Sequence, residues 1–216
     1  MLSKELKSWK TLWDLFISDP EFRKYFTNTS GDYKITSRSV KPILEPSGTL
    51  LLPGSRRSGE DHFVAYTMTP QRITVFDPSD TSGTYGSYLN ENTKRKISQL
   101  AKKPLYVNHR HPQCHSGDTF CQTWSLAWLS RNLSNYISES RTPNSSAGPI
   151  ARLVKTVARS NRFINYMHFN EQTFQSLITR ERNNKKLPSM TVDQFIHMSQ
   201  HITPLQIRAI LGAHKP

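Results

Sequence analysis

Apolar residues recur at helical spacing from the start of the chain. Leu6, Trp9, Leu12, Trp13 and Phe16 share one face, and after a Ser18-Asp19-Pro20 break Phe22, Tyr25 and Phe26 continue the pattern. The spacing predicts a helix or helix pair over 3–27. A stripe this rich in Trp reads as core, with a partner-binding arm as the alternative. Asn28 to Asp32 reads as a turn, 34–44 as irregular chain with short extended pieces, and Gly48 to Pro53 as a buried strand. A charged loop over 54–61 follows. His62 to Met68 then alternates, Thr69-Pro70-Gln71 turns, and Arg72 to Phe76 alternates again, which predicts a hairpin. A loop of two or three residues sets Asp77 or Pro78 opposite His62. Opposed side chains lie about 4.5–5.5 Å apart at Cβ, so a His62–Asp77 contact is expected at the mouth of the hairpin.

Pro78 to Asn90 is a loop. Glu91 to Lys102 carries Ile97, Leu100 and Ala101 at helical spacing, and Pro104 to Asn108 is a short strand. Strand, helix, strand implies a crossover and a mixed sheet. The chain next runs through a polar loop from Gln113 into an apolar helical pattern opened by Cys121. Trp124, Leu126, Ala127, Trp128 and Leu129 are expected on the buried side of that helix, with Ser125, Ser130, Arg131 and Asn132 largely elsewhere. Ser138 to Pro149 reads as a mobile loop. Helices are expected at 150–158, 171–182 and 192–200, then a last one capped by Thr203-Pro204-Leu205-Gln206 and stopped at Gly212. The expected fold is α+β: a small mixed β-sheet from 48–108 packed on the central Cys121 helix, with flanking helices. The expected organisation is one domain over 1–216, with an N-terminal helical segment (1–30), a catalytic core (48–134) and C-terminal helices (150–216).

Composition narrows the setting. With Cys114 and Cys121 the only cysteines, no disulfide framework can form, and charges interrupt the first apolar stretch, so no secretion signal is read. No run approaches the roughly 18 apolar residues of a membrane span. A soluble monomer in a reducing, intracellular compartment is expected. The 29 Lys and Arg exceed the 16 Asp and Glu, giving a formal charge of +13 and attraction to a polyanion. Three basic groups stand out: Lys94, Arg95, Lys96, Lys102 and Lys103; Arg152, Lys155, Arg159 and Arg162; and Arg180, Arg182, Lys185 and Lys186. Together they suggest DNA bound through its phosphates without base preference, although each alone could be a solvated helix face.

The chemistry concentrates on Cys121. At a helix start the free N–H groups and the dipole favour thiolate, so a partly exposed cysteine there is a candidate nucleophile. A cysteine protease also needs an imidazole, a group to orient it and a donor for the oxyanion. His62, Asp77 and Gln113, the last joined by the Cys121 backbone N–H, fill these roles. The crowding of His109, His111, Cys114, His115 and Cys121 raises zinc binding as a rival, but no CxxC or HxxxH clamp pairs with a second.

The order His, Asp, Gln, Cys resembles that of adenain-type proteases of the wider Ulp/SUMO-protease clan. The matching pieces are His62-Phe63-Val64-Ala65-Tyr66, Phe76-Asp77-Pro78, and Gln113 preceding a helix-opening Cys121. The resemblance spans roughly 48–134, and Cys121-Gln122-Thr123-Trp124-Ser125 is most similar to proteases of adenoviruses, virophages and large DNA viruses. It implies a papain-like/adenain-like cysteine protease fold. The implied activity is a cysteine endopeptidase that cleaves after Gly in viral capsid or core precursors during virion maturation, within the virion or the viral assembly site. It implies that Phe63 walls a narrow substrate tunnel, that no cofactor is required, and that DNA acts as a polyanionic activator. Phe63 replaces the commoner Trp, and Gln122 replaces the Gly usual in cellular members. The alternatives are deconjugation of SUMO or ubiquitin-like proteins, and a basic nucleic-acid-binding module with an inert Cys121.

Overall fold

A computed structural model of the chain describes residues 2–53, 61–79, 88–108, 120–130, 147–185 and 190–213. The first helix pair forms as its spacing predicts, as α1 (Lys4–Ile17) and α2 (Pro20–Thr27). Ser3 Oγ accepts from the Leu6 N–H at 3.2 Å to cap α1, while Asp19 caps α2 and Pro20 occupies its first turn. The Trp stripe is core. Trp9 and Trp13 are buried and stacked, and their indole N–H groups donate to Ser199 Oγ at 2.9 Å and Thr123 Oγ1 at 3.0 Å. Both polar handles are therefore satisfied inside the fold.

The sheet holds five strands in sequence order: β1 (Gly31–Lys34), β2 (Ser47–Leu52), β3 (His62–Met68), β4 (Ile73–Phe76) and β5 (Leu105–Asn108). The inner pairs β2–β3 and β3–β4 are antiparallel and the outer pairs β1–β2 and β4–β5 are parallel. Between β4 and β5 lies α3 (Glu91–Ala101), which supplies the expected crossover. Alternation along the strands separates two cores. Leu50, Leu52, Val64, Tyr66, Ile73 and Val75 pack with Ile97 and Leu100 of α3. Ala65 and Phe76 face the other way, onto α1, α4 (Cys121–Leu129) and the C-terminal helices α5 (Ala147–Arg159), α6 (Asn161–Phe169), α7 (Glu171–Lys185), α8 (Val192–His201) and α9 (Pro204–Ala213). The protein is thus a mixed α/β structure with a five-stranded mixed sheet, close to the α+β expectation.

Four expectations need correction. The hairpin pairs Met68 with Ile73, so its loop has four residues rather than two or three, and Arg72 lies outside the strand. The Asn28–Asp32 turn gives way at Gly31 to β1. Helix α6, for which no pattern was read, opens after Ser160, whose Oγ accepts from the Phe163 N–H at 3.2 Å. Helix α5 begins at Ala147, inside the stretch expected as a mobile loop, and the remainder of that stretch lies outside the described residues.

The β1–β2 pairing depends on two facing glycines. Gly31 is the partner of Gly48, and a Cβ added at Gly48 would lie 2.1 Å from the Gly31 carbonyl oxygen. A Cβ at Gly31 would lie 2.0 Å from the Tyr66 hydroxyl. Gly48→Ala is therefore expected to prise β1 from the sheet and cost about 2–3 kcal/mol, measured as a fall in the urea midpoint. Gly148→Ala, whose new methyl meets nothing within 4 Å, should leave the midpoint unchanged or raise it.

Candidate active site

Helix α4 opens at Cys121, and its first i→i−4 bond runs from the Trp124 N–H to the Phe120 carbonyl at 3.0 Å. The N–H groups of Cys121, Gln122 and Thr123 precede that bond and have no intrahelical acceptor. The helix is clamped from several sides. Phe120 is buried with the Lys10 ammonium 4.6 Å from its ring centre, Thr123 receives the Trp13 N–H, and Ser125 Oγ donates to the Phe63 carbonyl at 3.4 Å. Ser125 is therefore buried, against the expectation that it points elsewhere. Trp128 is half-buried instead, with its ring stacked 5.6 Å from Phe76. Enclosed between α1 and the sheet, α4 is buried through its middle and partly exposed only towards its two ends, with Cys121 half-buried at the first.

His62 opens β3 beside Leu52 of β2 and is 4% exposed. Its Nε2 lies 2.7 Å from Oδ1 of the buried Asp77, immediately after β4. The expected contact is present, but through a different register. Extending the β3–β4 pairing sets Ser79 opposite His62 and places Asp77 on the diagonal of the same face. The same Oδ1 accepts the Ser79 backbone N–H at 2.9 Å and its hydroxyl at 2.7 Å, and that hydroxyl lies 3.3 Å from His62 Nε2. Asp77-Pro78-Ser79 is thus a turn closed by its own carboxylate, a signal readable in the sequence but not exploited there.

The Cys121 thiol is the other group that acts on the imidazole, near enough to favour its protonated form. With Nε2 committed to Asp77, Nδ1 is the nitrogen left for the thiol. Burial disfavours the imidazolium, but hydrogen bonds and charge from Asp77 and Cys121 outweigh it and raise the His62 pKa to about 10. The ring of Tyr88 stacks on the imidazole, with centroids 4.2 Å apart and planes 18° from parallel. Sequence reasoning missed Tyr88, because no local spacing links the end of one loop to the start of a strand 26 positions earlier.

Phe63 is the one other site candidate among the described residues. Phe63, next to His62 in the strand, projects to the opposite face. It is half-buried there, with the guanidinium of buried Arg23 5.3 Å from its ring centre. Arg23 pairs with Asp32 of β1 at 2.6 Å, and Asp32 accepts from Thr49 Oγ1 at 3.0 Å. Gln113 and the zinc candidates His109, His111, Cys114 and His115 lie outside the described residues. Among the described residues no group of three His, Cys, Asp or Glu is placed to hold a metal, and no helix is long and apolar enough to cross a membrane. The first basic group sits on and just after α3, on the opposite side of the sheet from α5 and α6, which carry the second. These two groups therefore do not form one continuous face. For the third, the side chains lie outside the description.

Fold and site together define a mixed α/β protein with a buried histidine–aspartate pair at the end of its sheet and a cysteine near the histidine at the start of a helix. No family model and no curated protein matches the sequence. Among solved structures, one of AvrA with IP6 and CoA aligns with 100% of this chain and 91% of its own, at 14% identity and a TM-score of 0.36. A likeness of that size leaves the chemistry to be read from the residues themselves.

Proposed function

We propose that the chain is a cysteine endopeptidase. The observation that carries this reading is the His62 imidazole, held by the Asp77 carboxylate at 2.7 Å and kept protonated by both Asp77 and the nearby Cys121 thiol. His62 takes the thiol proton, and the Cys121 sulfur forms a bond to the scissile carbonyl carbon. The carbon–nitrogen bond then breaks as His62 returns the proton to the leaving amine. Water, deprotonated by His62, hydrolyses the thioester and restores the thiol. The Cys121 backbone N–H, which has no acceptor in its own helix, would receive the oxyanion, with Gln113 as the second donor.

The substrate reading rests on the sequence resemblance: cleavage after Gly in viral capsid or core precursors, with DNA, bound through phosphates, bringing enzyme and substrate together; Phe63, on the face of the sheet away from His62, is not kept as a wall of the groove. A narrow groove favours Gly for a steric reason, since any Cβ would meet its wall. Digesting a peptide library tests both levels. Products ending in Gly are expected, and addition of DNA should accelerate cleavage of basic protein substrates but not of short neutral peptides. Products ending in bulky or charged residues would overturn the substrate assignment, and no products at all would overturn hydrolysis.

A further inference from the structure

A hydrogen bond from Nε2 to Asp77 does not by itself orient an imidazole. The ring can still turn about the Nε2–Oδ1 line, and the terminal torsion of a His side chain is broad, so Nδ1 could swing away from Cys121 while the 2.7 Å bond is kept. Ser79 does not remove this freedom, because its three contacts converge on Asp77 Oδ1 and on the same Nε2. What lies against the flat face of the imidazole is Tyr88.

Building on the reading of His62 as the proton carrier, we infer that Tyr88 is a positioning residue. Its ring fixes the plane of the His62 imidazole, so that one nitrogen stays on Asp77 while the other stays on Cys121. Tyr88 can act in this way because its own place is fixed. The next residue, Leu89, is buried in the core with Ile97 and Leu100 of α3. Asn90 caps α3, its Oδ1 accepting the Thr93 N–H at 3.0 Å. The ring is thus tied to the helix of the crossover, independent of both the hairpin and α4. Phe63 cannot serve, since it projects through the sheet onto Arg23. An aromatic face also favours a cation above it, and here the cation would be the imidazolium. Among the described residues, the titratable or charged groups facing the imidazole are Asp77 beyond β4, Cys121 on α4 and Tyr88 itself. Asp61, the residue before His62, is paired with Lys34 at 3.3 Å.

The test uses the full chain with Tyr88→Phe, which keeps the flat face, and Tyr88→Leu, which keeps apolar cover but removes the face. Tyr88→Met replaces the Leu variant if that variant does not fold. Nitrogen NMR of His62 across pH gives its titration midpoint, and peptide mass spectrometry gives the iodoacetamide alkylation rate of Cys121. The Phe variant should match wild type. The Leu variant should lower the His62 midpoint by about half a unit to one unit and slow Cys121 alkylation about tenfold, with little change in melting temperature. The inference is overturned if a folded Leu or Met variant leaves both values unchanged, or if the Phe variant is as impaired as the Leu variant. The reading of the site fails separately. If Cys121→Ala does not alter the wild-type His62 titration, the two residues are not paired, whatever Tyr88 does.

Discussion

Replacing Cys121 with Ala is expected to abolish peptide cleavage, with a loss on the order of 10^6-fold, while leaving the fold intact. The size of the effect follows from the chemistry, because without sulfur no thioester forms and only water activated by the remaining groups can attack. The fold should survive because little depends on the thiol. Phe120, Trp124 and Leu126 anchor α4 in the core, and Trp13 and Phe63 hold Thr123 and Ser125 by hydrogen bonds. Removing one half-buried sulfur should cost about 1 kcal/mol or less. The check is steady-state cleavage of a Gly-containing peptide alongside a thermal melt. Cys114→Ala should leave the rate near wild type. The reverse pattern, activity surviving Cys121→Ala and lost with Cys114→Ala, would move the nucleophile into the preceding loop.

The second expected effect separates two partners of one hydrogen bond. His62→Ala should lose nearly as much activity as Cys121→Ala, since the imidazole both accepts the thiol proton and supplies one to the leaving amine. Asp77→Asn should lose less, on the order of 10^4-fold or below, because the carboxylate orients and stabilises the imidazolium without reacting. The loss should fall on kcat rather than KM. Stability should also respond. The His62 pKa is raised from 6.5 to about 10, so its contribution is complete below pH 6.5 and fades as pH rises through about 10. Wild type should therefore lose stability across that window, and His62→Ala should lose much of the dependence. Equal activities for Asp77→Asn and wild type would remove Asp77 from the site.

Much of this arrangement could be read before the fold was known, because it lies in local patterns. Alternation over 62–68 and 72–76 gave the hairpin, helical spacing over 91–102 gave the crossover, and the change from polar loop to apolar run placed Cys121 at a helix start. The errors have physical causes. The hairpin register slipped because Thr69 closes a longer loop: its N–H donates to the Arg72 carbonyl at 2.9 Å, and its hydroxyl accepts the Arg72 N–H at 3.2 Å. Those bonds draw Arg72 out of the strand. Strand β1 was hidden because glycine reads as a turn former, whereas Gly31 and Gly48 are needed here for the close approach of two backbones. The start of α5 was hidden by Pro149, which breaks a helix interior but is tolerated in a first turn. Ser125 was misplaced because the amphipathic rule assumes one solvent face, and α4 is packed on both sides. Tyr88 shows the limit of local reading, since its contact with His62 exists only once the sheet, α3 and the Asn90 cap are all in place.

Whether His62 activates Cys121 can be measured without knowing the substrate. Wild type, His62→Ala and Cys114→Ala are treated with iodoacetamide at pH 6.5, and the alkylation rate of each cysteine is followed by peptide mass spectrometry. Cys121 of the wild-type protein is expected to react at least about tenfold faster than Cys114, to keep that rate in Cys114→Ala, and to lose it in His62→Ala. A Cys121 that reacts no faster than Cys114, or that reacts equally fast with and without His62, would contradict the assignment of these two residues as nucleophile and base.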